Sequence, residues 1–473
     1  MGELQRHSRQ RLKSNAHTED RGILSKAVQD RYRCPEGFLE FSPDENLSQV
    51  AGYFQFGPNA TGYGRVASGL ERAGLNSASD LLSCVTIEGS RVLLPFDPDE
   101  VIDNLRLERY ATGQWGTSER ALKRFYYFLR PLTNQALRRC IKMFYSGRRQ
   151  KMSFPRWPVD TSVDNICEQL LLLALKAKGA ERIPFVWFWP QGARASVVMT
   201  HDVETTAGRD VCGELLDIND SFGIKAAFGV VPEDRYEVMP EFLALLRGRG
   251  SEIAVQDLNH DGRLFDDREE FRRRAAQINR YGREYGATGF RAAVLYRKPE
   301  WFGDLAFSHD MSIPNVAHLD PQYGGCCTVM PYFIGDMLEL PITTVQDYTL
   351  FYLLNEKGID LWKSQLEIIL SKNGLASFLV HPDYIVESGQ KAQYKVLLGW
   401  LRELSQQQNL WFALPSEIDA WWRVRSRMSV VKDGESWRVV GEGADRAVVA
   451  FAKAVDGQLV YELAETKRRK GAN

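Results

Sequence analysis

The chain lacks most of the marks that assign a protein directly. Its seven cysteines (34, 84, 140, 167, 212, 326 and 327) never fall in CxxC spacing, so neither a zinc ribbon nor a disulfide framework is indicated. An odd, sparse set suits a reducing compartment better than a secreted one. No apolar run reaches bilayer length, the longest being 170–175. A formal charge of −1 over 473 residues removes any general attraction to nucleic acid or membrane. The first residues, MGELQRHSRQRLKSNAHTEDRG, are basic and polar with no apolar centre, which is not a recognisable secretory signal. They are expected to form a disordered basic leader, 1–22, and the protein is expected to be cytoplasmic. No internal repeat is present.

What is there is organised. Residues 23–185 mix short β-like runs such as "SRVLLPF" with helical stretches near 119–150 and 162–178, and read as an N-terminal α+β domain. From about 186 to 428 strand-length apolar runs alternate with amphipathic stretches. The expected strands are 196–200, 226–231, 252–255, 289–292, 337–340, 377–380 and 411–414. Helices are expected near 208–222, 238–248, 267–286, 297–306, 359–372 and 390–408. About seven such units imply a parallel sheet with crossover helices, and fit a barrel better than an open sheet. Residues 429–473 read as a small β extension with a basic tail.

In such a barrel, chemistry sits just past the C-terminal ends of the strands. Those positions hold "THDVET" with His201, Asp202 and Glu204, "QDLNHD" with Gln256, Asp257 and His260, "GFRAA" with Arg291, "PITTVQDY" with Asp347, and "LVHPDY" with His381. Three of only seven histidines fall at these ends. Metal-assisted hydrolysis of an amide or ester needs carboxylate and histidine ligands, a carboxylate base, a histidine acid and an orienting arginine. Each residue alone also has a plain reading as a cap, a turn residue or an ion-pair partner. Their joint occurrence at successive strand ends favours a site.

These motifs together resemble the polysaccharide deacetylase family (the NodB homology domain, of carbohydrate esterase type) over residues 195–425. The resemblance implies an α/β fold, a distorted (β/α)7 barrel, and removal of acetyl groups from N- or O-acetylated sugars with a divalent metal, zinc first. It implies Asp202 as base, His381 as acid, Arg291 as the residue orienting the base, and Glu204 and His260 as metal ligands. His201, Gln256, Asp257 and Asp347 would line the site, Asp347 being the best match to the fourth motif. The family's metal motif is H-x3-H, and here Gln256 stands in the first place. An amide is a weak neutral ligand for zinc, so a second reading is a degenerate barrel that binds a glycan or a biosynthetic partner.

Residues 123–157 carry ten Lys or Arg and no Asp or Glu, interleaved with aromatics. This is either a solvated basic face or a contact for a lipid-linked sugar or the inner membrane leaflet. No nucleic-acid partner is expected. Cys326-Cys327 reads as buried packing, and Trp187, Trp189 and Trp301 as core more than as sugar-stacking surfaces.

Overall fold

A computed structural model describes residues 23–70, 74–111 and 152–464. The expected leader, the helix near 119–150, most of the basic stretch 123–157 and the basic tail lie outside these residues.

The centre of the molecule is a curled nine-stranded sheet. Its strands are β1 (Ala195–Val203), β2 (Ala227–Val230), β3 (Glu252–Gln256), β4 (Gly289–Arg291), β5 (His309–Asp310), β6 (Tyr332–Ile334), β7 (Met337–Glu339), β8 (Leu375–Leu379) and β9 (Leu410–Phe412). The spatial order is β6-β7-β5-β4-β3-β2-β1-β8, with β9 beside the start of β1. Seven neighbours, β7 through β8, run parallel, and β6 alone is antiparallel. This is the expected α/β distorted barrel.

β1 is buried at all nine positions, as a parallel strand covered on both faces must be. Its residues alternate. Val197, Met199 and Val203 face the surrounding helices and share a core with Phe228, Val255, Phe290 and Phe378. Val198 faces inward with Ala254, Met311, Leu338 and Leu375, and this inner cluster is continuous with Trp187, Trp189, Trp421 and Trp422. The tryptophans at 187 and 189 are therefore core, and they stopper the N-terminal end of the barrel. Along the inner stripe β1 turns from apolar to polar: Val198, Thr200, Asp202.

The barrel has a seam between the chain following β7 and β8, and side chains close it. Thr343 Oγ1 donates to Leu375 O at 2.8 Å and accepts from Ser377 N at 2.9 Å. Thr344 Oγ1 donates to Ser377 O at 2.9 Å. Two threonines thus replace a strand-to-strand ladder.

The N-terminal residues are locked to this barrel by buried ion pairs. Arg31, in the helix Lys26–Tyr32, lies 2.6 Å from Asp164, whose carboxylate also accepts from Thr328 Oγ1 and Val329 N. Glu108 accepts from Arg297 Nε at 2.6 Å and from Gly325 N. At the other end of the chain, Val449–Val455 pairs antiparallel with Arg182–Val186, the strand leading to β1. The expected C-terminal sheet exists, and one of its strands extends that earlier strand.

Two local expectations are corrected. β5 and β6 were not expected. The stretch near 297–306 forms a 3-10 turn, Pro299–Asp304, instead of an α-helix. Among the described helices none is long and apolar enough to cross a membrane.

Thr343→Val keeps the shape of the side chain but leaves the Leu375 carbonyl and the Ser377 N–H buried without partners. Each such orphan costs ~1–3 kcal/mol, so the variant is expected to lose about 3 kcal/mol. Denaturant midpoints at unchanged slope would show it; an unshifted midpoint would mean the seam is held elsewhere.

Candidate functional site

Five strand ends deliver the site. Asp202 (3% exposed) is the last inward residue of β1. It has room because its register partner on β2 is Gly229, where a Cβ would stand 2.7 Å from Asp202 Oδ1. Its two carboxylate oxygens are held from two other strands. Arg291 Nη1, on β4, donates to Oδ1 at 2.8 Å, and Gln256 Nε2, on β3, donates to Oδ2 at 3.1 Å. Gln256 and Arg291 are themselves register partners. Arg291 is fixed in turn by Thr200 Oγ1 and the Met311 carbonyl.

Glu204 lies two residues beyond Asp202, at the rim. Its Oε1 stands 2.8 Å from His260 Nε2, 3.3 Å from Gln256 Nε2 and 3.7 Å from His381 Nε2. Burial alone would raise the Glu204 pKa, but His260, then His381 and Arg235, carry it down to about 2. For His260 burial opposes protonation, and the Glu204 carboxylate outweighs it and raises the pKa.

The loop that brings His260 over Glu204 needs unusual backbone. Asp257 and His260 both have positive φ (54° and 56°), a conformation Asp and His tolerate better than most residues. The Asp257 carboxylate caps Leu258 N at 2.7 Å and is wholly buried. Burial pushes its pKa up to about 6. After Arg291 the chain is strained further, with Val294 and Leu295 at φ 58° and 54°. A β-branched residue there is a true outlier, and such strain clusters at functional sites.

His381 ends β8 and is gripped by one carboxylate twice. Asp347 Oδ2 accepts from the His381 backbone N–H at 2.7 Å, and Oδ1 lies 2.7 Å from ring Nδ1. Nε2 is thereby turned toward Glu204. Burial would lower the His381 pKa, but Asp347, then Glu204 and Asp202, raise it to about 10. The Asp347 match to a fourth motif is thus placed against His381.

One sequence candidate is elsewhere. His201 points outward between Asp202 and Thr200, as strand alternation requires. Its ring contacts the Val380 carbonyl, Asn219 and Tyr394 behind the sheet, and burial lowers its pKa to about 4. It does not line the site.

Two residues were not singled out from the sequence. Asp383 accepts from Glu204 N at 3.1 Å and from Thr205 Oγ1, tying the loop after β8 to the loop after β1. Gly208 permits this, since a Cβ there would run into the Asp383 carboxylate. Arg235 donates from Nε to the Glu204 carbonyl at 3.0 Å. The "HPD" spacing after a strand carried a hint of the first; nothing distinguished the second from a surface arginine.

The residues fit a divalent cation. Ligand atoms of Asp202, Glu204 and His381 lie within 4.8 Å of one another. Around Glu204 Oε1 and Gln256, neighbouring polar atoms stand 2.8, 3.3 and 3.1 Å apart. Adjacent ligands of an ion with bonds of ~2.0–2.1 Å are spaced by about 3 Å. Gln256 Oε1 is buried and has no hydrogen-bond partner, a cost that a bound ion or water would remove.

The Asp347 contact makes a testable claim about charge. Stability contributed by a raised histidine pKa is fully present below about pH 6.5, the unfolded value, and is lost as pH rises through about 10. NMR titration should find His381 protonated to near pH 10. Asp347→Asn should lower that value by roughly a unit or more; an unmoved titration would exclude Asp347 as its cause.

No family model and no curated protein matches this chain. Solved structures do. One described as a polysaccharide deacetylase from Mycobacterium smegmatis is 20% identical, covering 53% of this chain and 98% of its own, with a TM-score of 0.42. Another so described, from Pseudomonas aeruginosa PAO1, is 13% identical over 49% and 91%, at 0.38. The Puue allantoinase is 15% identical over 50% and 92%, at 0.40. Polysaccharide deacetylases are thus among the solved structures to which about half of this chain is similar.

Proposed function

We propose that the chain is a hydrolase that removes acetyl groups from N- or O-acetylated sugars of a bacterial polysaccharide or its lipid-linked precursor. One observation carries the reading. A carboxylate on β1 (Asp202) and an imidazole after β8 (His381) flank Glu204, each oriented by its own buried partner, Arg291 and Asp347.

Glu204 and His260 would hold the divalent ion, zinc being the first expectation. When bound, such an ion polarises the acyl carbonyl and lowers the pKa of water. Asp202 takes a proton from water as its oxygen bonds to the acyl carbon, and Arg291 keeps that carboxylate aimed. His381 gives its Nε2 proton to the leaving nitrogen or oxygen as the C–N or C–O bond breaks. Acetate and the free amino or hydroxyl sugar result. Asp347 holds the ring in place and offsets its charge throughout. The electrostatics support these roles, since the Glu204 pKa is carried down to about 2 and that of His381 up to about 10.

Gln256 favours a second reading, a silent barrel that binds a glycan. We place the working enzyme in the cytoplasm, with contact to the inner membrane face through 123–157 part of the proposal.

Acetate release from N-acetylated and O-acetylated sugar oligomers tests the first reading. Asp202→Asn and His381→Ala should each lower kcat/KM by ~10²–10⁴, with circular dichroism checking that each variant is folded at the assay temperature. Glycan binding with no acetate release by the unaltered protein would establish the second reading instead. Release that ignores both substitutions would remove the mechanism.

A further inference from the structure

Gln256 occupies the one position where the motif departs from expectation, and its surroundings are not those of an idle residue. It is 1% exposed. Its amide nitrogen lies 3.1 Å from Asp202 Oδ2 and 3.3 Å from Glu204 Oε1, so the amide is wedged between two carboxylates. Its carbonyl oxygen is buried without any partner. A buried acceptor left unpaired costs ~1–3 kcal/mol, and side-chain amide ends exchange by a half-turn of the terminal torsion. That half-turn sets Oε1 where Nε2 stands, about 3 Å from two carboxylate oxygens. Three oxygens so placed repel one another unless a cation lies among them. With one, Gln256 Oε1 and Glu204 Oε1 have the spacing of adjacent ligands.

We propose that Gln256 is itself a metal ligand through its side-chain carbonyl, and that it makes the centre richer in oxygen and less selective for zinc than a two-histidine site. This rests on the metal-assisted reading above. The ligands are then Glu204 Oε1, His260 Nε2 and Gln256 Oε1, with Asp202 left beside them as base. Carbonyl and carboxylate oxygens suit magnesium and manganese, while imidazole suits zinc. Exchanging one imidazole for a carbonyl therefore narrows the preference for zinc without abolishing binding. It also explains why a buried glutamine, neutral and roomy enough to reach both carboxylates, stands here instead of an apolar filler. Leucine would satisfy the packing and leave both carboxylates without their shared donor.

Calorimetric titration of the full chain with Mn²⁺ and with Zn²⁺, in the unaltered protein and three variants, tests this. Gln256→Leu should weaken both metals at least roughly tenfold, the usual scale for a lost contact to a metal. Gln256→Glu should restore Mn²⁺ binding to at least the unaltered level. Gln256→His should raise the ratio of zinc to manganese affinity roughly tenfold or more. Circular dichroism melts confirm that each variant is folded. Equal affinities, within about twofold, for the unaltered protein and Gln256→Leu would overturn the assignment. So would an unaltered protein that takes up neither metal while Gln256→His takes up zinc. Because titration reads binding without turnover, a chain that binds metal through Gln256 yet releases no acetate would refute the proposed activity alone.

Discussion

The mouth of the barrel is organised around one constraint: Asp202, almost free of water contact, must be matched on both oxygens. Leaving a buried charge without its partner costs about 3–5 kcal/mol, so the donors cannot be optional. They come from neighbouring strands at the same height, Arg291 on β4 and Gln256 on β3. Parallel register delivers this directly, because residues paired across adjacent strands point to one face. The small residue opposite, Gly229, leaves the space. A side chain there would displace the carboxylate and with it both donors. Glu204, two residues on, inherits its position from Asp202 and is fixed at its backbone by Asp383.

That register survives only if the barrel stays curled, and the barrel does not close through a continuous ladder. Thr343 and Thr344 bridge the seam to β8, the strand that carries His381. Three residues beyond Thr344, Asp347 binds His381 twice. Closure of the sheet and aiming of the His381 ring are therefore the work of one short segment, 343–347. The N-terminal residues reinforce the neighbouring loops, through Glu108 to Arg297 and Gly325, and Asp164 to Thr328 and Val329. Residues 23–111 are thereby tied to the chain that follows β4 and β5.

How much of this was legible in the sequence depends on length and periodicity. β1, β3 and β8 are fully buried or nearly so and five or more residues long, and their apolar runs are plain. Each ends in a polar motif, which is why Asp202, Gln256 and His381 were found. β5 has two residues, too few for any period, and β6 is antiparallel and three long. The seam threonines look like ordinary strand residues because their task is to bond a backbone distant in sequence. His201 was readable: if Asp202 faces inward its neighbour must face out. Arg235 was not, since what it holds is the backbone carbonyl of Glu204, and no local pattern records that.

Charge accounts for how such a site can be folded at all. Asp202, Glu204 and Asp347 bring three carboxylates into a space scarcely open to water. Arg291 and His381 bring two cationic groups, and Glu204 favours the charged form of His260 as well. These charges offset one another, with the Gln256 amide as neutral bridge between Asp202 and Glu204. Bringing in a divalent cation must then disturb the balance. Held as proposed, such an ion would need His260 free of its proton and the Gln256 amide turned end for end, so that its affinity would rise as protons become easier to expel. Gln256 lets the two carboxylates share one neutral donor, so the network folds compensated with no ion in place. A second histidine at 256 would instead add another titratable group to a cluster already balanced.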